Sequence, residues 1–312
     1  MGSANSILIM EIRYLTYQQI DKGRWDACID NADNGLVYAA SFYLDAMAKN
    51  WDVLVLNDYE AVMPLTWNKK YSIHYLYQPP FTACLGVFGK KLTAEMVNAF
   101  LKAIPSRFKY WDIYFNPGNL FKLKDFDLYE RMNYVVNLNN SYEHLYNAYR
   151  ENVKRNIKKS DQFQLSINKN IAIADVIKLA KEQHNNASLT VDDFSRFEKL
   201  FQLLYDKQKA TTYGAYTKEG RLIASAAFFF SHKRAYYIMV GNHPDGKTLG
   251  ASHALINAFI KDNAGEDLLL DFEGSDIPSL AFFYSSFGAL EEKYGAIRLN
   301  KLPAYLKWMK RS

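Results

Sequence analysis

The chain runs to 312 residues, room for two domains of about 150 residues that each bury a core. Hydrophobic residues at 49% and charged residues at 23% exclude a disordered or low-complexity chain. A formal net charge of +5 is too small to mark a nucleic-acid binder by itself.

The N-terminal "MGSANSILIM" has neither a basic n-region nor a cleavage site and does not read as a secretion signal. Gly2 followed by Ser6 formally fits a myristoylation pattern, although the stretch reads more simply as a leader. Cys28 and Cys84 have neither metal-ligand spacing nor a disulfide framework, which fits a reducing compartment, the cytoplasm by default. The longest apolar run, "LIASAAFFF" (222–230), is far short of the ~20 residues that cross a bilayer, so no membrane span is expected.

Periodicity predicts a helix over 42–50, then strands in "WDVLVLND" (51–58), "EAVMPLTW" (60–67) and "SIHYLYQ" (72–78). A helix over 94–103 and a strand in "YWDIYF" (110–115) complete the first half. The basic, helical stretch "SYEHLYNAYRENVKRNIKKSDQ" (141–162) reads as a connector. In the second half "FSRFEKLFQLLYDKQ" (194–208) is a helix, and "TTYGAYT" (211–217), "RLIASAAFFF" (221–230) and "RAYYIMVG" (234–241) are strands, with the first two joined by the turn "TKEGR". A loop, the helix "ASHALINAFIKDN" (251–263) and the strand "DLLLDF" (267–272) follow, and Ala251, Ala254, Leu255, Ala258 and Phe259 give that helix one apolar face.

Both halves therefore read helix, antiparallel strands, loop, helix, strand. "VNAFLK" (97–102) matches "INAFIK" (256–261) at an offset of 159 residues, and the same offset carries Asp112 onto Asp271. The simplest architecture is a duplication giving two similar α/β modules.

"GNHPDGKT" (241–248) fits the P-loop pattern literally, through Gly241 and Gly246-Lys247-Thr248. A P-loop joins a parallel strand to a helix and needs further crossovers, whereas the strands before Gly241 read as an antiparallel meander. His243-Pro244-Asp245-Gly246 is also a Pro-Asp-Gly turn signal. The small residues Gly250, Ala251 and Ser252 still place open backbone amides at a helix start, where an anion can bind.

Antiparallel strands, a strand ending in a Gly-Ala loop at a helix N-terminus, a further strand and then "LAFFYSSFGA" (280–289) resemble the GCN5-related N-acetyltransferase (GNAT) family. In that family the acyl-CoA pyrophosphate sits on a loop of pattern Gln/Arg-x-x-Gly-x-Gly/Ala, followed later by a Tyr four residues before a Gly. Lys247-Thr248-Leu249-Gly250-Ala251-Ser252 fits with Lys in the first place and Ser in the last, and Tyr284 lies four residues before Gly288. "DFEGS" (271–275) and "EAVMPLTWNKKY…YQPPF" are similar to the tandem-GNAT group that includes the Fem-type aminoacyl transferases of cell-wall synthesis and their acyltransferase relatives, over most of the chain.

The resemblance implies an α/β (α+β) chain of two GNAT-like modules, each a mixed, mainly antiparallel sheet flanked by helices. Residues 1–140 would form a degenerate module on the acceptor side and 141–312 the module with the acyl-donor loop. It implies acyl-CoA, acetyl-CoA first, as co-substrate, no metal, and a small-molecule or peptide amine as acceptor. The first module lacks a matching glycine loop, so one donor site per chain is expected.

Acyl transfer needs a polarised thioester carbonyl, a base for the amine and a proton for the leaving thiolate. By the family pattern the first comes from a backbone amide within Met239, Val240 and Gly241, and Tyr284 is the candidate acid; as a Tyr among Phe282, Phe283 and Phe287 it can equally be a core aromatic. Asp271 and Glu273 are candidate bases; strand alternation puts both on one face, with Glu273 nearer the open end and preferred. His243 has a ring suited to base work but stands in a turn, and His253 begins the following helix. Arg150, Lys154, Arg155, Lys158 and Lys159 form either a solvated face or a contact for a phosphorylated substrate, and Arg155 falls where the tandem group often carries an Arg. Three readings stand: an N-acyltransferase, a Fem-type transferase using aminoacyl-tRNA on a cell-wall precursor, and a non-catalytic ligand-binding protein on the same fold. tRNA is not favoured, because no sustained heptad stretch marks the helical hairpin that Fem-type enzymes often carry.

Overall fold

In the computed structural model, which describes residues 11–183, 189–274 and 276–302, the chain divides into two units. One comprises 1–130 with 294–312, the other 131–293. The Gly2 pattern lies outside the described residues.

In the first unit, β1 (Ile12–Leu15), α1 (Lys22–Asn31) and α2 (Ser41–Met47) lead into β2 (Asn50–Leu56), β3 (Ala61–Lys70) and β4 (Ile73–Tyr77). β1 to β4 pair as an antiparallel meander. A two-residue strand, β5 (Phe88–Gly89), pairs with β3, and α3 (Ala94–Ala103) then carries the chain to β6 (Phe108–Tyr114), parallel to β4. A parallel neighbour needs a crossover, and α3 supplies it by burying Val97, Phe100 and Leu101 in the core that holds Leu54, Leu65 and Trp111.

The second unit begins with β7 (Tyr129–Asn137), α4 (Tyr142–Asn147) and α5 (Glu151–Gln162), so the basic stretch read as a connector forms two of its helices. β8 (Ser166–Lys169), α6 (Ile173–Gln183) and α7 (Val191–Asp206) precede the meander of β9 (Ala210–Tyr216), β10 (Leu222–Ser231) and β11 (Arg234–Asn242). Next come α8 (Pro244–Leu249), α9 (Ala251–Asp262), β12 (Leu269–Asp271) and α10 (Pro278–Ser285). The sheet runs β8-β9-β10-β11-β12-β7, with β11 and β12 parallel and the other neighbours antiparallel. α9 is the crossover here; its Phe259 ring stacks on Phe228 of β10 at 3.8 Å, and burying each ring contributes about 2–3 kcal/mol.

The last strand, β13 (Leu290–Asn300), adds to β6 in the first unit, with Ile297 opposite Ile113, while β7 takes the corresponding place beside β12. The order of strand senses in the two sheets is the same. Among the described residues no helix is long and apolar enough to cross a membrane.

Candidate functional site

The site is set by where β11 loses its neighbour. β11 pairs with β10 along its length, but its parallel pairing with β12 covers Arg234–Tyr236 and ends at Asp271. Opposite Ala227 and Phe228 the register of β11 slips by one residue, a bulge at Ile238. The His243 amide donates to the Ile223 carbonyl on β10 at 3.0 Å, so alternation also turns the Gly241 and Met239 amides towards β10. The Asn242 amide points the other way, to Gln183 Oε1 at 2.7 Å, and Val240 shares its edge. Of the three residues expected to polarise a carbonyl, Val240 is the one whose N–H faces the edge that β12 has left. Gly241 has a packing reason: a Cβ there would lie 2.7 Å from the Ala180 amide of α6.

The segment after β11 differs from the expected turn. Pro244 takes the first position of α8 and His243 Nδ1 caps it, accepting from the Asp245 amide at 3.2 Å. A Pro-Asp-Gly sequence serves a turn or a helix start equally well, and here the helix wins. This corrects one expectation and strengthens the case against the P-loop. Lys247, Thr248 and Leu249 lie in the last turn of α8 and give their amides inside it, so they form no phosphate loop. Gly246 is buried where a Cβ would strike the Ile223 carbonyl, which removes the P-loop reading of its glycine.

The helix start that the sequence placed at Gly250, Ala251 and Ser252 is the first turn of α9, where no side chain caps the amides of Ala251, Ser252 and His253. Gly250 precedes them in the left-handed region (φ 75) as both the end of α8 and the N-cap of α9, and it offers no side chain to cap them. A Cβ on Gly250 would collide with the Asn156 carbonyl of α5. Ser252 Oγ donates to Asn242 Oδ1 at 2.6 Å, tying the helix start to the end of β11. In α5, Arg155 and Lys158 are exposed, and the Arg150 guanidinium lies over the Phe282 ring at 5.2 Å. The equivalent helix start in the first unit is closed, because Thr93 Oγ accepts from the Met96 amide at 3.3 Å. Gly86 and Gly89 do precede α3, but Gly86 is packed on Asn119 and Phe115 and Gly89 lies in β5.

Tyr284, on α10, is 9% exposed; its ring stacks on Phe272 at 4.5 Å and meets Tyr237 of β11 edge-on at 6.4 Å. Burial, and after it the charge of Glu273, push its hydroxyl up to about 12. The charge of Glu273 thus reaches the Tyr284 hydroxyl. The expected alternation fails at Glu273, which has left the strand and stands at φ 61. Asp271 does not face the cleft. It is buried, accepting from Arg234 Nη1 (2.8 Å), Asn133 Nδ2 (2.9 Å) and the Glu273 amide (2.8 Å). Burial pushes its carboxyl up and Arg234 opposes this. Arg234 also binds Glu292 at 2.5 Å. Both oxygens of Asp271 are committed to protein donors, which leaves neither for an amine.

His243 is committed through Nδ1 to capping α8, where Asp245 Oδ2 lies 3.5 Å away. His253 packs edge-on to Phe283 at 4.8 Å, and burial pushes its imidazole down to about 4. It is therefore neutral where most enzymes work. The unfolded chain takes up this proton near 6.5 and the folded chain near 4, so His253 contributes stability that is fully present above about 6.5 and is lost as the pH falls through that window. Between about pH 7 and pH 5 the loss is about 2 kcal/mol. His253→Phe, which keeps the ring contacts, is expected to remove that part of the acid slope in urea melts; an unchanged slope would count against it.

Residues 147–276 match the family model described as an acetyltransferase (GNAT) domain. That stretch lies within the second unit, which is therefore similar to a GNAT domain. The chain as a whole is similar in fold to FemX, with a TM-score of 0.63 at 12% identity over 96% of this chain and 99% of that one. It is also similar to the C-terminal domain of a putative lysylphosphatidylglycerol synthetase from Agrobacterium fabrum (TM-score 0.58, 11% identity, 93% and 95% covered). A tandem GNAT protein from the clavulanic acid biosynthesis pathway gives a TM-score of 0.52 at 11% identity, with 94% and 100% covered. At such identities the likeness is one of fold. No curated protein matches the sequence.

Within the second unit, sequence reasoning missed Gln183, Asn133, Arg234 and Glu292. Their partners in other elements lie 37 to 159 residues away, so no local pattern announces them.

Proposed function

We propose that the protein is an N-acyltransferase that moves an acyl group from a CoA thioester, acetyl-CoA first, to an amine on a small molecule or peptide. The observation that carries this is the meeting of Tyr284 with Tyr237 at the point where β11 and β12 part, on the strand that runs to the uncapped start of α9. The first-turn amides of Ala251, Ser252 and His253 receive phosphate oxygens, and the Val240 amide polarises the thioester carbonyl. The amine nitrogen attacks that carbon, forming the C–N bond, and gives a proton to Glu273. The C–S bond breaks, the sulfur takes a proton from Tyr284, and Tyr284 is restored from Glu273, so thioester and amine become amide and thiol with no proton left over. The relay fits a hydroxyl held near 12, which keeps its proton until a strong acceptor forms beside it.

Further support comes from the first unit, where the N-cap of α3 is Thr93, whose side chain closes that helix start, while the N-cap of α9 is Gly250. We infer one donor site per chain, and a duplication behind the shared strand order and the "VNAFLK" and "INAFIK" helices. Cys28 and Cys84 held as thiols and a CoA substrate make the cytoplasm the proposed compartment.

Calorimetric titration with acetyl-CoA, desulfo-CoA and ATP with magnesium tests the donor. Saturable binding of both CoA compounds without ATP is the expected result, followed by amide formation in an amine panel read by mass spectrometry. Salt-dependent tRNA binding in place of CoA would move the donor to aminoacyl-tRNA, with exposed Arg155 and Lys158 as its contacts. CoA binding without transfer to any amine would leave a binding protein.

A further inference from the structure

The mechanism above leaves a buried carboxylate unused, and the backbone ties it to one that is used. Asp271 ends β12, Phe272 lays its ring on Tyr284, and Glu273 follows in the left-handed region, with Gly274 after it at φ 83. A β-strand that simply continued would send the Glu273 side chain elsewhere, and a non-glycine residue in the left-handed region costs about 1–2 kcal/mol unless its surroundings hold it. The surroundings here are specific. Asp271 Oδ1 accepts the Glu273 amide at 2.8 Å, and the same oxygen is fixed by Asn133 Nδ2 at 2.9 Å. The other oxygen is pinned by Arg234, which is itself held by Glu292. Three other stretches of the second unit, at Asn133, Arg234 and through it Glu292, thus converge on one carboxylate whose remaining bond reaches the backbone of the candidate base.

We propose that Asp271 is a positioning residue: by holding the Glu273 amide it locks the turn that keeps the Glu273 carboxylate beside Tyr284. This rests on the reading of Glu273 and Tyr284 as the proton-transfer pair. Asp271 touches neither substrate nor the moving proton. Its own carboxyl is pushed up by burial, and Arg234 with Asn133 keeps it an acceptor. Asp271 also stands at the last position where β12 pairs with β11, opposite Tyr236, and its bond to Arg234 spans the paired stretch, so the residue at which the strands part is the one that sets the direction of Glu273.

Asp271→Asn is the test, because it keeps the volume. Its single oxygen goes to Arg234 and its amide group faces the Glu273 N–H, which loses its acceptor. The expected result is a fall in kcat of about 10-fold or more with KM for the acyl donor within about twofold. A second readout needs no activity: in protein with labelled tyrosine, the Tyr284 resonance should titrate lower in Asp271→Asn, approaching its position in Glu273→Gln. A wild-type Tyr284 titration in Asp271→Asn, or equal losses in kcat and donor affinity, overturns the proposal. If the variant does not fold, hydrogen exchange at the Glu273 amide of the wild-type protein decides, since slow exchange is required and free exchange overturns it. Failure of the transferase reading would show as no transfer by the wild type, with the tyrosine and exchange results standing on their own.

Discussion

Replacing Tyr284 by Phe is expected to lower kcat for acyl transfer about 100-fold or more while leaving acyl-donor binding within about twofold. The substitution isolates one atom. The ring that stacks on Phe272 at 4.5 Å and meets Tyr237 at 6.4 Å stays in place, so the core around α10 keeps its packing and the melting temperature should barely move. What disappears is the hydroxyl proposed above to hand a proton to the leaving sulfur. Because burial and Glu273 hold that hydroxyl up to about 12, the wild type should show no alkaline loss of activity from this group below about pH 11. Glu273→Gln should lose activity as well, and the double variant should be little worse than either single one, because two groups in one relay fail together. Steady-state kinetics with donor titrations check all three. Full activity in Tyr284→Phe would return Tyr284 to the role of a core aromatic and remove the proton relay.

The parts of this site that were legible in the sequence are those written in short-range patterns. α3 was read to the residue, and β9 to β11 and α9 within a few residues, because their apolar runs and faces repeat at strand and helix periods. β13 was missed: "LEEKYGAIRLN" opens with charged residues and has no clean alternation, and its place beside β6 depends on a partner far back in the chain. α8 was misread because proline after a capping His spells a turn and a helix start alike. Tyr284 was found through its spacing to Gly288, whereas the Arg234 cluster was invisible, since it exists only once β11, β12, β7 and β13 are in register. Glu273 was chosen for a reason the fold does not keep. Strand alternation would have put it level with Asp271, but a left-handed turn held by Asp271 sets its direction.

That cluster also carries the largest expected effect on stability. Arg234→Met should destabilise the protein by about 3–5 kcal/mol near pH 7, the cost of leaving buried carboxylates without their cation. Asp271 is 5% exposed and the Glu292 side chain 20%, so water can replace little of what the guanidinium gives. Burial already raises the Asp271 carboxyl and Arg234 opposes it; without Arg234 it rises further, and Glu292 loses its partner too. A carboxyl raised above its unfolded value near 4 binds more protons folded than unfolded, so the contribution is most favourable below about 4 and is lost as the pH rises through the folded value. The gap between variant and wild type should therefore narrow from pH 7 towards pH 5, which denaturant titration at the two values would measure. Replacing Arg234, Asp271 and Glu292 together with apolar residues of similar size should recover much of the loss, because the penalty belongs to the unpaired charges and not to the missing pair. A gap that stays constant with pH would mean that Arg234 contributes through the packing of its stem, and the cluster would then set the geometry of β11 and β12 without an electrostatic part.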